Sequence, residues 1–397
     1  MKTLLFVDDE PRVLQGLQRQ LHGMRNEWQM EYLDAGAKAL EHMASHPVDV
    51  IVTDMMMPGM DGAQLLTEVM KRHPNTVRIV LSGHADRESV LRLVGPAHQY
   101  LSKPCEWDEL RIAISRAFAL RELLTNDKLK ALATRTRSLP ALPELHNQLT
   151  GELRKEEPSI ERIGEIISKD IGMTSKMLQL VNSAFFGLPQ PISSAAEAVA
   201  YLGLATVRAL VLSLQVFSQY EQKNIKGFSI DALAQHSWMT GGWARRIAET
   251  ERCDPKISDQ CFLAGLLHDI GQLILASGLP DEYAQVLENT RSPGKSLWAA
   301  EQDQFGTTHA EVGAYLLGLW SLPNPVIEAV ALHHRPASAA TGKFSPVIAV
   351  HVANALTHEK SGEAACAGND LDLNCLATIG LGSRVPIWRE KCFEEDL

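Results

Sequence analysis

Three aspartates, a hydroxyl and an ammonium stand at the ends of short apolar runs near the start of the chain. TLLFV (3–7) runs into Asp8, Asp9 and Glu10; VDVIVTD (48–54) closes on Asp54; RIVLSG (78–83) carries Ser82 near its end; QYLSKP (99–104) ends on Lys103 and Pro104. Carboxylate oxygens are hard ligands suited to Mg²⁺, which takes one or two of them together with phosphate oxygens and water. A lysine and a hydroxyl alongside can hold phosphoryl oxygens. Brought to one edge, these groups would let Asp54 act as a nucleophile toward a phosphoryl group.

A second set lies further on. Seven of the 14 histidines fall between positions 236 and 358: His236, His268, His309, His333, His334, His351 and His358. With Asp269 they form the order His, His-Asp, His, His-His, most of it in text with helical spacing. Imidazole with carboxylate suits Fe, Mn, Zn or Ni, and such residues converge in the cores of helical bundles at di-metal sites. Three readings fit the cluster. It is a polar core with every ring nitrogen satisfied, a bound metal without turnover, or a hydrolytic site whose metal-bound water attacks phosphorus. His358, in THEKSGE, reads as a surface residue. His22, His42, His46, His73, His98 and His146 show no constellation, and His84 sits in a loop.

The elements that must position these groups differ between the halves. In the first, continuous apolar runs alternate with helical spacing, as at Val13, Leu14, Leu17 and Leu21. That pattern predicts a parallel sheet covered on both faces, whose ligands bind beyond the carboxyl ends of the strands. Residues 107–137 lack Pro and Gly and predict one long helix, or a helix and its continuation, packed on the sheet or paired with a second chain. SLPALPEL (138–145) marks a boundary, since close prolines break a helix. Beyond it the spacing is helical and strand signals are lacking, which predicts an all-α domain. Residues 160–187 and 192–220 each predict two helices, 373–382 a last short helix, and FEEDL a frayed end. The tryptophans at 238, 243 and 320 read as core.

The motifs FVDDEP, VTDMMMPGMDG, LSGHAD and YLSKP resemble, in order and spacing, the receiver domain of bacterial two-component response regulators. The resemblance implies a doubly wound, five-stranded parallel α/β domain. It makes Asp54 the phosphoacceptor, gives Mg²⁺ to Asp8, Asp9, Asp54 and the main-chain carbonyl of Met56, and places Ser82 and Lys103 on the phosphoryl group with Tyr100 as an aromatic switch. DIGMTSKMLQLVNSAFFG and AVAYLGLATVRALVLS resemble the HDOD domain. The histidine order that follows resembles the metal site of HD-type phosphohydrolases, including the HD-GYP cyclic-di-GMP phosphodiesterases. The chain departs from those enzymes in three places: Gln272 in HDIGQ replaces a lysine, HHRPASAATGKFSP lacks Gly-Tyr-Pro, and VIAVHVANAL offers His351 and Asn354 where active relatives carry an aspartate. The departures and the HDOD resemblance together imply a regulatory module more than an enzyme.

The resulting division is a receiver domain (1–120), a helical connector (121–137), an all-α HDOD domain (138–355) and a C-terminal helical extension and tail (356–397). The 397 residues are 45% hydrophobic and 22% charged, which suits several cores and excludes a mainly disordered chain. Lys and Arg number 38 against 48 Asp and Glu, a net charge of −10. That balance opposes nucleic-acid binding and with it a DNA-binding regulator. The six scattered cysteines read as reduced thiols. MKTLLFVDDEP reads as neither a signal peptide nor a membrane span, so a cytoplasmic protein is expected. The expected function is a phosphorelay: a sensor histidine kinase phosphorylates Asp54, and the HDOD module responds by engaging a downstream protein partner. The alternative is a receiver-controlled, metal-dependent phosphohydrolase acting on a cyclic dinucleotide or a nucleotide. A homodimer through the receiver or the connector helix also fits the apolar spacing.

Overall fold

The computed structural model describes residues 2–82, 96–103, 105, 107–124, 126–136, 142–155, 157–182, 191–208, 211, 227–290, 295–339, 342–361 and 371–394. The chain divides into two compact units, with the main boundary after residue 138. The rest of LSGHAD, with His84, lies outside the described residues.

The first unit alternates strand and helix: β1 (Lys2–Val7), α1 (Pro11–Gln20), β2 (Trp28–Leu33), α2 (Gly36–Ser45), β3 (Val50–Asp54), α3 (Gly62–Arg72), β4 (Val77–Ser82) and β5 (Gln99–Ser102). All pairings are parallel, in the order β2-β1-β3-β4-β5. Every residue of β3 is buried, as the middle of a sheet covered on both faces requires. The strand missing from the residue-level reading is β2. WQMEYL lies at the sheet edge with only Trp28 fully buried, so it shows no continuous apolar run. Strand order reverses between β1 and β3, the place where open α/β sheets form a crevice beyond their carboxyl ends. Val7 is registered against Thr53, so the next residues of the two strands, Asp8 and Asp54, flank that crevice.

The connector is two helices, α4 (Trp107–Leu123) and α5 (Asp127–Arg135). Asn126 caps the second, its side chain accepting from the backbone N–H groups of Lys128 (3.0 Å) and Leu129 (3.3 Å). Leu110, Ile114, Ala117, Phe118, Leu120 and Leu124 are buried. Phe118 packs on Trp28 with ring centroids 5.6 Å apart, and Arg121 pairs with Asp49 at 2.7 Å. The helical spacing thus serves the first unit itself. α5 is tied to the sheet by Arg78, which is fully buried. Arg78 Nη2 donates to the Thr134 carbonyl (2.7 Å), and the same carbonyl accepts from His98 Nε2 (3.1 Å). His98 Nδ1 accepts from the Arg78 backbone N–H at 3.0 Å, so this histidine is a buried partner and not an isolated residue.

The rest of the chain is helical, and no strand occurs among its described residues. Its helices are α6 (Pro143–Leu153), α7 (Ile160–Ser168), α8 (Ile171–Val181), α9 (Ala195–Arg208), α10 (Ile230–Thr250), α11 (Pro255–Leu267), α12 (Ile270–Gly278), α13 (Pro280–Asn289), α14 (Leu297–Phe305), α15 (His309–Leu319), α16 (Asn324–Leu332), α17 (Pro346–Ser361), α18 (Leu373–Thr378) and α19 (Val385–Phe393). α9 breaks at Gly203 (φ 75°), where the second helix expected in 192–220 begins; most of that second helix falls outside the described residues. α10 packs along α11 and α17. Two glycines permit the first contact: a Cβ on Gly265 would lie 2.7 Å from the Gly241 Cα.

α17 is continuous, and all its residues from Pro346 to Thr357 are buried, so the expected division between 355 and 356 falls inside a helix. The tail is also more ordered than its composition suggests. Trp388 of α19 is fully buried and its indole N–H donates to Glu251 at 2.8 Å. Trp243 and Trp320 are core residues as expected, whereas Trp238 is 39% exposed. Pro255–Gly278 is long and apolar enough to cross a membrane, but 78% of its window is buried inside the protein and it breaks at His268-Asp269 into α11 and α12. It is a core helix pair.

Candidate functional site

At the crevice of the first unit, Asp8 and Asp54 are both buried. Lys103, one residue past β5, reaches between them. Its ammonium donates to Asp8 Oδ2 at 2.7 Å and also to Asp54 Oδ1. The other oxygens are held by backbone: Asp8 Oδ1 accepts from Glu10 N–H (2.9 Å) and Asp54 Oδ2 from Met56 N–H (2.6 Å). Burial alone would depress Lys103, but its bonds to Asp54 and Asp8 outweigh burial and raise its pKa. The loop after Asp54 turns tightly. A Cβ on Gly62 would collide with the Asp54 carbonyl, so only glycine lets α3 begin there.

Asp9 is half-buried beside this pair, and Met56 is 66% exposed. Ser82 ends β4 in register with Ser102 of β5; its side chain lies outside the described atoms. Tyr100 is buried in the core of the unit among Met57, Val80 and Ala97, and burial raises its phenol pKa. Two buried carboxylates against one ammonium leave the crevice negative, with hard oxygen donors. That chemistry fits Mg²⁺ at Asp8 and Asp54, with Asp9 next to them.

The second cluster is built at helix ends. His268 follows the last residue of α11 and Asp269 precedes α12; His309 opens α15; His333 and His334 follow α16. Helix C-termini leave carbonyls without partners, and both end histidines use this. His268 Nδ1 donates to Gly265 O (2.7 Å) and His333 Nδ1 to Val330 O (2.8 Å). In each ring Nε2 is therefore the inward-facing nitrogen. Around Asp269 the distances to Nε2 are 3.1 Å for His309, 3.2 Å for His268, and 3.8 Å for His236 and His333. His236 Nε2 lies 3.3 Å from His268 Nε2, and His334 Nε2 lies 3.1 Å from His309 Nε2. The ligand atoms form two three-residue groups of metal-binding spacing, His236-His268-Asp269 and His309-His333-His334.

Electrostatics divides these rings. Burial holds His333 and His334 well below the ordinary histidine range and brings His236 down to about 3, with neighbouring rings adding to each shift. Burial would raise Asp269, yet the adjacent His268 and His309 hold it well below the carboxylate range. His309 goes the other way: burial opposes its charge, but Glu301 and Asp269 raise it to about 10. The neutral His333 ring leaves Nε2 with a lone pair. That atom is buried without a hydrogen-bond partner and faces a carboxylate oxygen. Two acceptors facing each other in a buried gap fit a cation, and imidazole nitrogen with carboxylate oxygen fits Zn, Fe, Mn or Ni.

His351 is not brought into the cluster. Its Nδ1 donates to the His333 carbonyl (2.8 Å) and its Nε2 accepts from Asp372 N–H (2.9 Å). Both ring nitrogens are spent on backbone, which makes His351 a strap behind His333. Two residues that sequence reasoning missed do join. His358 is half-buried, with its ring 4.6 Å from that of His236. Glu301 of α14 is fully buried against His309. A cavity of about 430 Å³ opens beside the cluster, lined by His236, Asp269, Gln272, Thr357, His358 and Phe228 among others. Gln272 thus faces the same space as the cluster.

Comparison with known proteins gives two family matches. The response regulator receiver domain matches residues 4–115 and the HDOD domain residues 139–336. An uncharacterized protein of Treponema pallidum is 26% identical over 251 residues, which span 62% of this chain and 46% of that protein. The hydrogenase transcriptional regulatory protein HoxA of Cupriavidus necator is 34% identical over 148 residues, 37% of this chain and 30% of its own length. The chain therefore spans less than half the length of these curated relatives. Among solved structures, the MmoQ response regulator of Methylococcus capsulatus is 23% identical, with a TM-score of 0.47, over 61% of this chain and 98% of that one.

Proposed function

The chain belongs to the response regulators that join a receiver domain to an HDOD domain, and from that premise we propose that it takes a phosphoryl group on Asp54 and passes the change to its helical half. The observation that carries this reading is the contact of Lys103 with both Asp54 and Asp8 at the crevice. A receiver domain implies a phosphorylating sensor kinase. In the proposed step an Asp54 carboxylate oxygen forms a bond to phosphorus while the bond from phosphorus to the donor breaks. Asp8, with Asp9, would hold Mg²⁺, which when bound offsets phosphoryl charge. Lys103 keeps its ammonium on the new phosphoryl oxygens. Ser82 and Tyr100, on the neighbouring strands, respond to the added charge of about −2. Such a shift acts only through differential contacts in the two states. The test is labelling with a small phosphodonor in the presence of Mg²⁺: wild type gains an acid-stable, base-labile acyl phosphate and Asp54→Asn does not.

For the HDOD module we propose that the cluster around Asp269 holds a metal ion and that the adjoining cavity takes a small ligand. The orphaned His333 Nε2 supports the first part. His236, His268 and Asp269 would supply one side, His309, His333 and His334 the other. A second reading, a metal-dependent phosphohydrolase for a cyclic dinucleotide or nucleotide, is favoured by the cavity reaching Asp269 and His236. A metal supplies Lewis-acid activation of water in such chemistry. Gln272 cannot supply the positive charge of the lysine it replaces. Elemental analysis with a cyclic-di-GMP turnover assay separates the readings: metal without turnover supports a binding module, and turnover abolished in Asp269→Ala supports the hydrolase.

A further inference from the structure

Glu301 stands out among the acids of the helical half. It is fully buried, and a buried carboxylate persists only when paired. One oxygen, Oε2, accepts from both the His309 backbone N–H (2.8 Å) and His309 Nδ1 (2.6 Å). The other, Oε1, accepts from the Tyr283 hydroxyl at 3.2 Å. Three donors, one from α13 and two from the start of α15, thus hold one carboxylate, and two of them belong to a single histidine.

We propose that Glu301 is the positioning residue of the Asp269 cluster, holding His309 by backbone and ring so that Nε2 is the nitrogen presented to a metal ion. The inference rests on the metal reading above. With Nδ1 committed to Glu301, only Nε2 remains, and it already lies 3.1 Å from Asp269 Oδ1. Carboxylates placed behind metal-binding histidines fix ring orientation and proton position, and their loss weakens metal binding about 10–100-fold. Tyr283 supports the arrangement by fixing the second oxygen. Glu301 does not line the cavity, and its hydrogen bonds go to His309 and Tyr283, so its effect runs through His309.

The test is made on the full chain. Zinc affinity is read by chelator competition for wild type, Glu301→Gln and Glu301→Leu. The His309 ring proton is located by nitrogen-15 NMR of the metal-free proteins. Glu301→Leu is expected to lose about 10–100-fold in zinc affinity and to lose the ring proton on His309 Nδ1, keeping only the one on Nε2 that faces Asp269. Glu301→Gln can keep the bonds to N and Nδ1 without the charge, so it loses less and keeps the proton on Nδ1. Zinc affinity and ring signals indistinguishable from wild type in both variants overturn the assignment. If wild type binds no zinc, the metal reading fails, and the ring signals alone decide the role of Glu301. Should Glu301→Leu not fold, Tyr283→Phe takes its place. A reduced affinity then supports the clamp, and unchanged affinity in both Tyr283→Phe and Glu301→Gln overturns it.

Discussion

Gly271 and His309 touch backbone to backbone. A Cβ on Gly271 would collide with the His309 carbonyl oxygen and lie 2.8 Å from its Cα. This contact joins the first turn of α12, two residues past Asp269, to the residue that opens α15. It is what allows the Asp269 carboxylate and the His309 ring to meet at 3.1 Å. Gly271→Ala must separate the two helices, because backbone atoms cannot yield as a flexible side chain can. The expected cost is about 3 kcal/mol or more, read from the denaturation midpoint, together with weaker zinc binding. An unchanged midpoint would mean that the helices are free to part.

Lys103 neutralises two buried carboxylates at once. Lys103→Met leaves Asp8 and Asp54 facing each other without it, and uncompensated buried charge is costly. Because the lysine side chain is 25% exposed, the expected loss is about 2–4 kcal/mol at neutral pH, on the low side of a fully buried pair. Adding Asp54→Asn should recover part of that loss by removing one of the like charges. No recovery in the double variant would contradict the pairing. The wild-type contribution is present below the unfolded lysine pKa and is lost only as pH rises through the still higher folded value.

The start of α8 predicts a pH effect of unusual sign. Asp170 caps that helix, accepting from Met173 N–H (2.7 Å) and Leu142 N–H (2.6 Å), yet burial raises its pKa to about 6 against those bonds. The folded value lies above the unfolded one of about 3.9. The fold therefore binds the proton more tightly than the unfolded chain does. This group favours folding fully below pH 3.9, and the advantage is lost as pH rises through 6, on the order of 2–3 kcal/mol in all. Asp170→Asn should flatten stability between pH 4 and 6. An equally steep profile in the variant would remove Asp170 as its source.

His351 separates a strap from a ligand. His351→Ala leaves the His333 carbonyl and the Asp372 N–H without their ring partner, a loss of roughly 1–3 kcal/mol. The melting temperature should fall while the folded fraction keeps its zinc stoichiometry. A stoichiometry reduced by one ion would place His351 among the ligands after all.

Much of the first site was legible because the crevice is a local consequence of strand ends. Asp8, Asp54 and Lys103 each sit within a residue or so of an apolar run, and parallel register alone brings them together. The edge strand β2 was not legible, since its exposure erases the apolar run that marks central strands. In the helical half, His268-Asp269 and His333-His334 were visible as residue types, but their Nδ1 bonds to carbonyls three residues back depend on where each helix stops. Glu301 sits in LWAAEQDQF, where its neighbours Gln302 and Asp303 are exposed. Only the packing of α13 and α14 shows that it is buried. His351 and His358 lie on one helix, and helical spacing cannot say which of them a distant element will engage.

The most direct test of the account is mass spectrometry of the full chain after treatment with acetyl phosphate and Mg²⁺. The account predicts a single labile phosphoryl adduct that maps to Asp54, absent in Asp54→Asn and accumulating differently in Lys103→Met. A wild-type chain that stays unmodified, or an adduct that survives in Asp54→Asn, would contradict it.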